Sequence, residues 1–91
     1  IMLTKDDPNP SFIDTYAWVL YKLGDYDLAR IEIEKALKIQ TKSSVLFDHY
    51  GDILEKLGLS EKALKEWEKA HKLDKENQTI KDKINNQILN E

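Results

Sequence analysis

The sequence has no cysteine among its 91 residues, which excludes disulfides, thiolate zinc sites and thiol nucleophiles. The same absence leaves the redox compartment open, so cytoplasmic and cell-envelope locations stand equally. Glycine is scarce, with three residues, and none falls in a phosphate-cradling loop or a strand–turn–helix motif. No apolar run approaches the length of a membrane span, and no charged-then-apolar leader is present in these residues. An excess of positive charge is also missing, since the net charge is -3. Nucleic-acid binders gather Lys and Arg on one face to displace counterions from phosphates. Here Lys35, Lys38, Lys65, Lys69 and Lys72 alternate with Glu34, Glu61, Glu66 and Glu68. The pairs Glu34–Lys38, Glu61–Lys65 and Glu68–Lys72 have the Glu-first spacing that supports an exposed helix face.

What remains is ordinary for one small folded helical domain: 41% hydrophobic and 34% charged residues. The informative feature is an internal repeat. Shifted by 34 residues, the sequence falls on itself without a gap. Asp14 lands on Asp48, Tyr16 on Tyr50, Leu20 on Leu54, and Lys22-Leu23-Gly24 on Lys56-Leu57-Gly58. Ala29 lands on Ala63, Glu32 on Glu66, and Glu34-Lys35-Ala36 on Glu68-Lys69-Ala70. Apolar character persists at Ile13/Phe47, Val19/Ile53, Ile33/Trp67 and Ile39/Leu73.

Each unit reads as helix–turn–helix. Ile13, Tyr16, Ala17, Leu20 and Leu23 recur at the three-and-four spacing of one helical face. Gly24 suits the left-handed conformation that ends a helix, and Asp25 or Asp27 suits the cap of the next. Ala29, Ile33, Ala36, Leu37 and Ile39 then turn inward. The second unit repeats this with Phe47, Tyr50, Gly51, Leu54 and Leu57, a turn at Gly58, and Ser60 as the expected cap. Its inward residues are Ala63, Leu64, Trp67, Ala70 and Leu73. Gly51 lowers helix propensity, so its presence inside a helix implies a steric need that outweighs the loss. Helices are expected over 11–23, 27–39, 45–57, 61–73 and 78–89. The architecture is all-α: tandem antiparallel helix–turn–helix repeats forming an α-solenoid, with a C-terminal capping helix.

The period of 34, the Leu-Gly ending the first helix, Asp25-Tyr26 in the turn and the paired alanines of the second helix resemble the tetratricopeptide repeat. The resemblance covers residues 11–73. Thr41 and Lys75 depart from it where the family often has proline, as does Ser60 where Tyr26 represents the turn tyrosine. It implies a right-handed superhelix whose first helices line a concave side that holds a peptide or partner helix. Pro8-Asn9-Pro10 reads as the junction that closes a preceding repeat. The expected division is a junction over 1–10, one repeat over 11–44, a second over 45–77 and a capping helix over 78–91. In the cap, Ile80, Ile84, Ile88 and Leu89 form one apolar stripe among polar residues, the way a solenoid ends in water.

Catalytic candidates are thin. His49 lies near Asp48 and Asp52, but metal sites need more convergent ligands, and His71 reads as a half-exposed helix residue. The expectation is a non-enzyme with no catalytic, cofactor or metal site. On the first helices, the side opposite the core carries Asp14, Thr15, Trp18, Tyr21 and Lys22, then Asp48, His49, Asp52 and Glu55. Trp18 points away from its own core on this reading, either to anchor a ligand or to pack on a neighbouring repeat or chain. One subclass of the resembled family grips C-terminal carboxylates with Lys, Asn and Arg on the concave side. Asp14, Trp18, Asp48 and Asp52 stand at those positions here, and the three aspartates repel a carboxylate. The expected partner is therefore a neutral or basic protein segment, with neither nucleic acid nor membrane insertion. The alternative is a structural segment that self-assembles, and uncovered apolar surface around Phe12, Val19 and Leu28 predicts weak homo-oligomers.

Overall fold

The computed structural model describes residues 9–89, so most of the 1–10 junction and the last two residues of the cap lie outside the described residues. Five helices follow one another: α1 (Pro10–Lys22), α2 (Tyr26–Ile39), α3 (Ser44–Lys56), α4 (Ser60–Leu73) and α5 (Gln78–Leu89). No strand occurs among the described residues. Every boundary falls within one residue of its expected position. Each helix packs on the next in sequence, and α1 also packs directly on α3. The result is an all-α stack, 42 Å long and 25 by 18 Å across.

Local chemistry sets these boundaries. Asn9, Asp25, Ser43 and Asn77 each accept a bond from a backbone N–H in the first turn that follows, at 2.9, 3.3, 3.3 and 3.2 Å. Pro10 opens α1 with a fixed φ and no N–H to leave unsatisfied. At the other ends, Gly24 and Gly58 take φ of +86° and +79°. Around Gly24, Gly24 N–H reaches Tyr21 O at 3.0 Å and Asp25 N–H reaches Leu20 O at 2.9 Å. The same two bonds recur around Gly58, to Glu55 and Leu54, at 3.0 Å each. This paired closure satisfies the last carbonyls of a helix.

Ser60 does not cap α4. Leu59 holds that position with no side-chain bond, and Ser60 is the first helical residue. Leu59 is drawn there by packing on Leu54, Ala63 and Trp67, while Glu61 in the first turn complements the helix dipole.

The core follows the repeat. Ile13, Ala17, Leu20, Ala29, Ile33, Ala36, Leu46 and Ile53 form one buried cluster, and Leu54, Ala63 and Trp67 form another; Tyr50 packs on both, and Ile84 on the second. Ala29, Ala36, Ala63 and Ala70 are all fully buried, which lets facing helices approach closely. Gly51 is tighter still: a methyl group there would collide with the indole of Trp67. Ile39, Leu73 and Leu23, expected inward, are instead exposed, Leu23 to 76%. Each sits at or just past the last residue of its helix, where the antiparallel neighbour no longer covers it. Glu32 is the converse, a carboxylate only 1% exposed whose Oε2 accepts from Lys35 Nζ at 3.1 Å. The ion pairs within α2 and α4 are thus Glu32–Lys35 and Glu66–Lys69, at a spacing of three. Glu34, expected to pair with Lys38, instead accepts the Tyr50 hydroxyl at 2.6 Å.

Candidate functional site

The outward side of the first helices is built by α1, α3 and α5, and most of its polar groups are already engaged. Asp14 and Trp18 lie one turn apart on α1, so both can meet a single side chain of α3. That side chain is His49. Its Nδ1 lies 2.8 Å from Asp14 Oδ1, and its ring stacks on Trp18 with centroids 4.2 Å apart. The other neighbour of Trp18 is Tyr21, stacked at 4.5 Å with planes only 8° apart. Tyr26 meets Tyr21 edge-on at 5.5 Å, and Lys22 Nζ sits 5.5 Å from the Trp18 ring centre. Stacked rings and a cation over an indole face are both favourable arrangements.

One repeat later the arrangement recurs with different chemistry. Asp48 and Asp52, 34 residues after Asp14 and Trp18, clasp one side chain of α5. Lys83 Nζ lies 2.8 Å from Asp48 Oδ1 and 3.0 Å from Asp52 Oδ1. Trp67 Nε1 donates to the Asp48 backbone oxygen and to Asp52 Oδ1, at 3.3 Å each. Burial holds the Asp52 carboxyl above its ordinary pKa, against the pull of Lys83. Desolvation works against the Lys83 cation too, but its bonds to Asp48 and Asp52 outweigh that and hold it above the ordinary lysine value. Tyr21 is likewise raised, first by burial and then by Asp52.

The candidate residues therefore divide into three groups. Asp14, Trp18, Tyr21, Lys22 and His49 come together as one aromatic and charged cluster. Asp48 and Asp52 form a second cluster with Lys83, and Asp52 also holds the indole of Trp67. Thr15 and Glu55 stand apart and exposed, Thr15 bonding its own helix at Ser11 O. Trp18 is not the isolated aromatic that its helical phase suggests. It is half-buried, because His49 of the following hairpin covers one face of its ring. Asp48 and His49, adjacent in sequence, turn to different partners. Lys83 and the polar role of Trp67 were missed. The signal for Lys83 was its position 34 residues after His49, in the receiving place of the next first helix.

A wide surface cleft lies elsewhere. Its apolar lining is Leu37, Phe47 and Tyr50, on the side where α2 and α4 flank α3, and it measures about 560 Å³. A smaller one of about 220 Å³ is lined by His71, Lys81, Ile84 and Asn85.

Among known families, residues 13–43 match the model of the tetratricopeptide repeat, a unit of protein–protein interaction scaffolds. A comparison with curated proteins gave no match.

Proposed function

We propose that this chain, which carries a tetratricopeptide repeat, holds a neutral or basic protein segment along the outward side of its first helices. Residues 11–44 and 45–77 serve as the two repeats and 78–91 as the cap. The observation that supports this is the Tyr21–Trp18–His49 stack, with ring centroids 4.5 and 4.2 Å apart. Flat rings held rigidly give contact area at low entropic cost, which is why Trp and Tyr are enriched where partners bind. The surrounding charge favours a cation. Asp14, Asp48, Asp52 and Glu55 outnumber Lys22, Lys56 and Lys83 on this side, so its carboxylates leave an excess of negative charge. Such a field selects charge and speeds encounter, and its reach is set by salt.

The test is a charge-varied peptide array probed with wild type, Trp18→Ala and Glu55→Lys. Glu55 is the acidic residue to change, because Asp52 also holds Trp67 and Lys83 and its replacement would disturb packing. Basic and neutral peptides should bind best, Trp18→Ala should weaken them by about tenfold or more, and Glu55→Lys should narrow the charge preference. A preference for acidic C-termini, or indifference to both substitutions, refutes the reading. A second reading, self-assembly through α1, rests on Val19, 50% exposed where Ile53, its register mate, is fully buried.

A further inference from the structure

We infer a second protein-binding surface on the opposite side, where the second helices face solvent, suited to an extended acidic segment that carries one large apolar residue. Two clefts open there. The first, about 560 Å³, is lined by Leu37, Phe47 and Tyr50, within the range of about 300–1,000 Å³ typical of ligand pockets. The second, about 220 Å³, is lined by His71, Lys81 and Ile84, which stand 34 residues after Leu37, Phe47 and Tyr50. They are one architectural feature, repeated. A chain laid across the repeats would meet both in turn.

The side chains around them choose the occupant. In the first cleft the two carboxylates are already used: Glu34 accepts the Tyr50 hydroxyl at 2.6 Å, and Glu66 holds Lys69 at 3.1 Å. Lys69 is further drawn over Phe47, 5.5 Å from its ring centre. Lys38, on the same lining, is exposed and has no partner among the described residues. In the second cleft Phe47 has become Lys81 and Leu37 has become His71, with no carboxylate in the lining. Lys72 and Lys75 follow Lys38 and Thr41 by 34 residues, and both are exposed. The surface thus runs from an apolar cleft with spent acids to a smaller one that offers the Lys81 ammonium and no carboxylate in its lining. A Phe or Leu side chain fits the first, and Asp or Glu side chains beside it reach Lys38 on the lining of the first cleft and Lys81 in the second.

Synthetic ten-residue peptides test this, each carrying one Phe flanked on one side by four Asp or Glu, with Phe→Ala and all-Lys versions as comparisons. Binding is mapped by amide chemical shifts of the whole labelled protein. The acidic Phe peptide should shift residues around Phe47, Tyr50, His71 and Ile84. The Phe→Ala and all-Lys versions should bind at least about tenfold more weakly. Lys38→Glu combined with Lys81→Glu should weaken binding by a similar factor at an unchanged melting temperature, and Lys38→Gln with Lys81→Gln by less. Trp18→Ala, on the other side, should leave it unaltered. Shifts confined to α1 and α3 around Trp18, or no shift at millimolar peptide, overturn the inference. So does equal binding by polyglutamate or a single-stranded oligonucleotide, which would mean a charged surface with no apolar cleft in use.

Discussion

Gly51→Ala is the most discriminating single change in this fold. Helix propensity alone says that alanine should stabilise α3 by about 1 kcal/mol. The structure says the opposite. An added Cβ would run into the Trp67 indole, lying 2.9 Å from Cε2 and closer to Nε1 and Cδ1. Trp67 is only 5% exposed and is pinned by bonds from Nε1 to Asp48 and Asp52, so it has little room to retreat. Overpacking of this kind costs about 1–3 kcal/mol, and each hydrogen bond that is stretched away costs about 0.5–1.5 kcal/mol more. The net expectation is destabilisation by about 1–3 kcal/mol, the collision outweighing propensity. For a domain of this size that lowers the melting temperature by at least about 4 °C. The first repeat supplies the control, because buried Ala17 and Ile33 occupy the equivalent places. Gly51→Ala with Trp67→Ile recreates that pair and should recover part of the loss. The coupling between the two changes should be about 0.5–3 kcal/mol in thermal or urea unfolding. A more stable Gly51→Ala protein, or a double variant equal to the sum of its singles, would refute the steric account.

Three further outcomes follow from the packing. Burial, and then the bond to Glu34, raises the Tyr50 pKa above its ordinary value of 10.0. The folded chain therefore keeps this proton where the unfolded chain loses it, and the contribution is complete below 10.0 and lost as pH rises through the folded value. Urea midpoints at about pH 9 and about pH 11 should fall more steeply in wild type than in Tyr50→Phe, and parallel falls would count against it. Ala29→Leu and Ala63→Leu each fill a fully buried contact and should cost about 1–3 kcal/mol, read as lower denaturant midpoints. Exposed Val19 should drive concentration-dependent sedimentation that Val19→Lys relieves, and a wild type monomeric at every concentration would exclude that association.

The helices were legible because two independent signals agreed at most of their starts and at the two glycine turns: the apolar spacing and a cap or turn residue. Leu59 shows the limit of that reading. Ser60 is the better capping residue by propensity, but Leu59 packs on Leu54 and Trp67 and takes the cap position without a polar side chain. Gly51 was readable as a steric need, though its partner was not. Trp67 was readable as core by its match to Ile33, but its indole N–H had to find acceptors, and these were Asp48 and Asp52. The buried Glu32 had no signal at all, since its spacing to Lys35 also suits an exposed pair.

The candidate surface was harder to read because of how a translational repeat forms contacts. Residues 34 apart in α1 and α3 point the same way, so they cannot face each other across the joint between repeats. The joint is heterologous, one side of a helix against the other side of its copy. Its polar contacts accordingly connect residues 35 apart, Asp14 with His49 and Asp48 with Lys83. Each receiving side chain also meets the residue one turn beyond, Trp18 in the first joint and Asp52 in the second. Self-comparison finds which positions are equivalent. It does not find which positions touch. Once the offset is known, the difference between the joints has a chemical reason. His49 can satisfy a carboxylate with a ring nitrogen and Trp18 with its face, whereas the ammonium of Lys83 can neutralise two carboxylates. The aromatic ring and the second aspartate at equivalent positions are thus each matched to the side chain that the next helix sends back. Exchanging Trp18 with Asp alone would leave His49 between two carboxylates, and replacing His49 with Lys in that variant should restore what is lost. A double-mutant cycle at these two positions, showing no coupling, would mean that the pairs fit by accident of packing.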